Sequence, residues 1–135
     1  MKSLLALAAL SLTTSLALAA DPQLTDAQVE PAFAKADANK NGTVDLAEAK
    51  KFGIAEKAFH KANPDKDGSL DKQEFAAAIV AQFVAANPDN DGTLDEKEAR
   101  NAGIKSKSVF EAANPDKDGT LDIAEYLVAL TATAK

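Results

Sequence analysis

Along the chain, apolar residues come in short bursts at helical spacing, and acidic stretches that each contain one glycine separate the bursts. Between residues 75 and 86 the run FAAAIVAQFVAA has no breaker. Its Phe75, Ile79 and Phe83 fall at i, i+4 and i+8, which predicts one continuous helix. The segments 49–62 and 99–113 each hold a Gly followed by an Ile (Gly53-Ile54 and Gly103-Ile104). That pair suits a helix ending at a glycine cap, then a new helix whose first apolar residue packs back. Pro31 suits a first helical turn, with Phe33 on its apolar side. The fold class expected is all-α: a compact small helical bundle of four helix-loop-helix motifs with short shared connecting helices.

The acidic stretches repeat. NGTVD, DGSLD, DGTLD and DGTLD begin at Asn41, Asp67, Asp91 and Asp118, and each belongs to a twelve-residue block. The blocks are DANKNGTVDLAE (37–48), NPDKDGSLDKQE (63–74), NPDNDGTLDEKE (87–98) and NPDKDGTLDIAE (114–125). A Phe stands four residues before every block (Phe33, Phe59, Phe83, Phe110), and an aliphatic residue fills position 8 (Val44, Leu70, Leu94, Leu121). A longer period of about fifty residues relates Gly53-Ile54 to Gly103-Ile104, so the unit is a pair of blocks, present twice.

Oxygen-bearing side chains occupy positions 1, 3, 5, 7, 9 and 12 of each block, with Gly at position 6. That is the spacing at which a loop can wrap a hard cation, bending sharply at Gly and closing with both oxygens of a Glu. The candidate ligands are Asp37, Asn39, Asn41, Thr43, Asp45 and Glu48 in the first block, and Asn63, Asp65, Asp67, Ser69, Asp71 and Glu74 in the second. The third supplies Asn87, Asp89, Asp91, Thr93, Asp95 and Glu98, and the fourth Asn114, Asp116, Asp118, Thr120, Asp122 and Glu125. Position 7 offers its backbone carbonyl, and position 9 often acts through water. The apolar position 8 lets two loops pair by a short strand contact. Fifteen of the 21 acidic residues sit at these positions, three in the first block and four in each of the others. A generic solvated face would scatter them. Gly at position 6 is expected to take positive φ, which other residues resist.

These blocks resemble the EF-hand superfamily over nearly all of residues 29–130. A narrower resemblance is to the lanmodulin family of periplasmic bacterial EF-hand proteins, which prefer lanthanides. It is carried by an export signal, by Pro64, Pro88 and Pro115 at position 2, by Asp at position 9 in all four blocks, and by short inter-loop helices. The stretch AQFVAANPDNDGTLDEKEARNAG (81–103) is especially similar to that family. The resemblance implies up to four bound Ca²⁺ ions and extends the expected ions to Ln³⁺. The residues themselves leave the ion open. Pro at position 2 fixes φ and favours a preorganised site, or simply makes a well-formed turn. Asp at position 9 adds a carboxylate that a trivalent ion rewards more. Asn63, Asn87 and Asn114 at position 1 each remove one. The first loop has Ala38 in place of Pro and keeps only Asp37, Asp45 and Glu48 as charged ligands, so it is expected to be the weakest or most distinct.

Residues 1–19 read as a secretory signal peptide: Lys2, an apolar run from Leu4, and an Ala17-Leu18-Ala19 cleavage pattern. Residues 20–135 then form a single domain, periplasmic or secreted. Removing Lys2 leaves 14 basic side chains against 21 acidic ones, a net charge of −7. Such a balance disfavours nucleic acid, whose binding rests on clustered Lys and Arg, and favours metal ions. No other apolar stretch is long enough to cross a bilayer, so no membrane contact is expected after cleavage. The chain has no cysteine, and bound metal is one of the few staples left to a small exported domain. Four loops crowding three or four carboxylates each repel themselves, so the metal-free chain is expected to be loosely structured, with metal supplying much of the folding free energy.

His60 is the only histidine, too few for a triad or a zinc site, and is expected on a helix surface. Asn41-Gly42-Thr43 matches a glycosylation sequon but lies inside a metal loop. The chain is not expected to be an enzyme, because its loops leave no open catalytic position. The function expected is that of an exported metal buffer or carrier. The alternative is a calcium-dependent protein-interaction module, a sensor or adaptor outside the cytoplasm with an unspecified protein partner. Met1 is the single methionine, which disfavours the Met-rich target groove of sensor proteins.

Overall fold

The computed structural model describes residues 22–134, and the expected signal segment, residues 1–19, lies outside them. Helix α1 (Asp26–Ala36) starts at Thr25, whose side chain accepts from the Gln28 N–H while the Gln28 side chain accepts from the Thr25 N–H. This reciprocal capping satisfies two of the amides that a helix start leaves free. It begins the helix earlier than Pro31 suggested. Pro31 lies inside α1; it is exposed, so the carbonyl its ring leaves without an N–H partner can face water.

In the acidic blocks, positions 9 and 12 also start the following helix. Asp45 and Glu48 form the same reciprocal box at the head of α2 (Leu46–Phe52), which ends at Gly53 with φ 110°. Only a residue without Cβ takes that conformation cheaply. Helix α3 (Glu56–Lys61) follows after two residues. Asp71 and Glu74 then cap α4 (Lys72–Ala86), the uninterrupted helix expected from the apolar spacing. Asp95 and Glu98 cap α5 (Glu96–Asn101), Ser106 caps α6 (Lys107–Ala112), and Asp122 and Glu125 cap α7 (Ile123–Thr133).

The loops pair as the duplicated pattern requires. Strands β1 (Val44–Asp45) and β2 (Ser69–Leu70) are antiparallel with Val44 opposite Leu70, and β3 (Leu94–Asp95) and β4 (Thr120–Leu121) place Leu94 opposite Leu121. These four position-8 side chains are fully buried. Phe59, Phe83 and Phe110 are buried as well, and Phe33 packs its ring edge-on at 5.5 Å from Phe75. The two loop pairs share one core, because α4 serves both and α1 packs on α2, α4 and α7.

A polar junction sits within this core. Gln82 is the one amide in the apolar run of α4. Its Oε1 accepts from the Ala55 N–H at 2.7 Å, and its Nε2 reaches the Gly53 carbonyl at 2.8 Å, the Ala102 carbonyl at 3.0 Å and the Tyr126 hydroxyl at 2.7 Å. Tyr126 in turn donates to the Ala102 carbonyl at 2.7 Å. One side chain thus ties the bend after α2 to the bend after α5 and to α7. His60 is exposed, 3.5 Å from Glu56.

Candidate metal-binding loops

Each loop turns on two left-handed residues. Position 6 is the expected glycine: Gly42, Gly68, Gly92 and Gly119 have φ between 84° and 89°. Position 4 was not anticipated: Lys40, Lys66, Asn90 and Lys117 have φ between 55° and 61°. Asn tolerates this region through its short polar side chain, so Asn90 was the one sequence signal available; the lysines carried none.

Within this winding the side chains at positions 3 and 5 bond to the loop's own backbone. The position-3 oxygen accepts from the position-5 N–H at 3.0 Å in the first loop (Asn39 to Asn41) and 3.3 Å in the others (Asp65 to Asp67, Asp89 to Asp91, Asp116 to Asp118). The position-5 oxygen accepts from the position-7 N–H at 2.9–3.0 Å, onto Thr43, Ser69, Thr93 and Thr120. Side-chain oxygens hold the backbone in this way and keep further lone pairs free.

At position 12 the loops differ. Glu74, Glu98 and Glu125 accept from the N–H of Asp71, Asp95 and Asp122 at 2.9 Å. Glu48 does the same with Asp45 at 3.0 Å, and its second oxygen also reaches across the loop to the Asn39 N–H at 3.2 Å. Position 1 separates them again. In the first loop Asp37 accepts from the Asn41 and Gly42 N–H groups at 3.1 and 2.8 Å. The first loop differs from the others in that its position-1 side chain accepts from the loop backbone and its position-12 carboxylate reaches across to position 3.

In the other loops position 1 is a buried amide, and in the third and fourth it has unmet demand. The oxygens of Asn87 and Asn114 are buried and have no hydrogen-bond partner, which costs about 1–3 kcal/mol for each such group unless a ligand meets it. At Asn63 three acceptors, Asp65 Oδ1, Asp67 Oδ1 and the Ser69 carbonyl, converge on one terminal atom of the amide. Those are positions 1, 3, 5 and 7, the set a hard cation takes. Electrostatics point the same way in the fourth loop. Burial above all, and then the charges of Asp122, Asp116 and Asp118, hold the Glu125 carboxyl above the usual carboxylate range, against the lowering pull of the Asp122 N–H. Among the described residues no three acidic or His side chains are grouped to hold an ion by themselves. The converging oxygens are of mixed kind, amide, carboxylate and carbonyl, and they suit an oxygen-seeking cation on the strength of their chemistry.

An EF-hand family model, described as EF hand, matches residues 29–52, which take in most of α1, the first loop and α2. The chain therefore carries an EF hand there, within a small, mostly helical fold. No curated protein matches the chain. Among solved structures, a homolog of programmed cell death 6 protein from Leishmania major Friedlin is similar at 17% identity over 73% of this chain and 71% of that one, with a TM-score of 0.36. No helix of the described residues is long and apolar enough to cross a membrane.

Proposed function

We propose that this chain is an exported EF-hand protein that binds Ca²⁺ in four loops, and also takes lanthanide ions as its resemblance to the lanmodulin family implies. It acts as a metal buffer or carrier, is not an enzyme, and works in the periplasm or outside the cell once its signal is removed. The observation that carries the reading is the set of buried, partnerless position-1 oxygens of Asn87 and Asn114 with the convergence of acceptors at Asn63. The third and fourth loops share one unmet demand, the second gathers three acceptors about its position-1 amide, and a hard cation suits both arrangements. The ligands are those at positions 1, 3, 5, 7, 9 and 12, from Asp37 to Glu125. The bound ion supplies charge that offsets carboxylate crowding; the residues supply the oxygens and hold them close.

Metal-coupled folding follows from the double role of positions 9 and 12. Each Asp–Glu pair begins an exit helix, so the residues that would hold an ion at positions 9 and 12 are the same ones that cap that helix. Competitive titration of Ca²⁺ against La³⁺, followed by circular dichroism, tests the reading. A La³⁺ preference above that of ordinary Ca²⁺ loops, with helicity rising from the chelated state, is expected. A preference no larger than ordinary rejects the lanthanide part, and unchanged helicity rejects metal-coupled folding.

A further inference from the structure

Asn63, Asn87 and Asn114 are 5%, 5% and 6% exposed, so the inward end of each amide must find its partner within its own loop. At Asn63 the inward terminal atom stands 2.6 Å from Asp65 Oδ1, 3.2 Å from Asp67 Oδ1 and 3.2 Å from the Ser69 carbonyl. Everything facing it is an acceptor. If that atom is the amide oxygen, four oxygens face one another, an arrangement that only a cation between them stabilises. If it is the amide nitrogen, the same positions become N–H···O bonds, two of them to carboxylates and hence of the stronger, charge-assisted kind. The two states differ by a half-turn about the last side-chain torsion, which is soft and roughly two-fold for Asn, with no movement of the backbone. Oxygen and nitrogen ends are told apart by such networks alone, and here the network itself depends on whether an ion is bound.

We infer that Asn63 is an amide switch: its N–H end faces the loop carboxylates when no ion is bound, and its oxygen end turns in to ligate one. Asparagine is suited to both states, while aspartate is suited to the second alone. The first loop shows the contrast, because Asp37 is an acceptor to the Asn41 and Gly42 N–H groups and has no donor to offer a carboxylate. Asn63 therefore sets two properties of loop 63–74 at once. It holds together an acidic loop that would otherwise repel itself before an ion arrives, and it lowers ion affinity by the charge that an aspartate would have supplied.

The inference rests on the proposed metal function, so its test has a metal-free arm and a metal arm. The full chain is labelled with ¹⁵N, and the Asn63 side-chain NH₂ is followed in chelator and then with Ca²⁺ or La³⁺. In chelator one NH₂ proton is expected to exchange with water at least about tenfold more slowly than a free amide, and the signal is expected to move when the ion binds. The single variant Asn63→Asp is expected to melt roughly 5 °C lower than the parent in chelator and to bind the ion about tenfold more tightly at that loop. An Asn63 amide that exchanges freely in chelator overturns the switch. So does an Asn63→Asp variant that melts at or above the parent temperature in chelator. A chain that binds no ion yet protects its Asn63 amide also overturns it, since the amide then has one state, and this result identifies the metal reading as the part that failed.

Discussion

Replacing Gln82 by Leu keeps nearly the same volume and removes the polar junction between the two loop pairs. Ala102 keeps a donor, because Tyr126 still reaches its carbonyl at 2.7 Å. The Gly53 carbonyl and the Ala55 N–H lose theirs. Gly53 is half-buried and Ala55 exposed, so water recovers part of each loss. Taking the low end of the range for an orphaned group, about 1 kcal/mol each, the expected destabilisation is about 2 kcal/mol. For a domain of this size that lowers the melting temperature by roughly 10 °C. Tyr126 is the only tyrosine and there is no tryptophan, so intrinsic fluorescence reports this junction alone while circular dichroism reports all helices. In the parent protein both signals are expected to melt together, as one core requires; in Gln82→Leu they fall together or separate with the junction first. A Gln82→Leu melting temperature within 2 °C of the parent, or a parent in which the two signals melt at different temperatures, refutes the junction.

Three further outcomes are expected. Gly53→Ala places a Cβ 3.0 Å from Leu130 Cδ2 in a residue with φ 110°, so it should destabilise by about 2 kcal/mol; Gly42→Ala meets nothing within 4 Å and should lose only the strain of its φ of 88°, about 1 kcal/mol, as denaturant unfolding will show. Glu98→Gln removes a carboxylate from position 12 while keeping its shape, and calorimetric titration should show ion affinity at one loop falling roughly a hundredfold, with the other loops retained; equal affinity contradicts the ligand assignment. Burial pushes the Tyr126 hydroxyl well above the usual tyrosine range. A group whose folded pKa is raised keeps the folded state favoured below its unfolded value, so stability in chelator should be level through pH 9 and decline above about pH 10, with phenolate absorbance rising only as the chain unfolds.

Much of this architecture is legible in the sequence because the blocks carry their own geometry. Position 8 side chains had one place to go once the loops paired, and Val44 and Leu70, Leu94 and Leu121 meet there. Gly53 announced the end of α2, and the unbroken run before Asn87 announced α4. The start of α1 was misplaced because the capping partnership of Thr25 and Gln28 outweighs the helix-start preference of Pro31, whose exposed position tolerates a lost backbone bond. The left-handed turn at Lys40, Lys66 and Lys117 had no local signal, since lysine does not favour that conformation and is placed there by the bend on either side. The meeting of Gln82 and Tyr126 depends on tertiary packing that spacing does not encode. The candidate ligand positions were legible as residue types; which end of Asn63 faces inward was not, because that depends on the other oxygens of the folded loop.

The most direct test of the central claim is to count the ions. Native mass spectrometry of the chain in millimolar Ca²⁺, and separately in La³⁺, should show four ions bound, falling to three when Glu98 is replaced by Gln under limiting metal. A chain that binds one ion, at the loop of residues 37–48 alone, or none, contradicts the account.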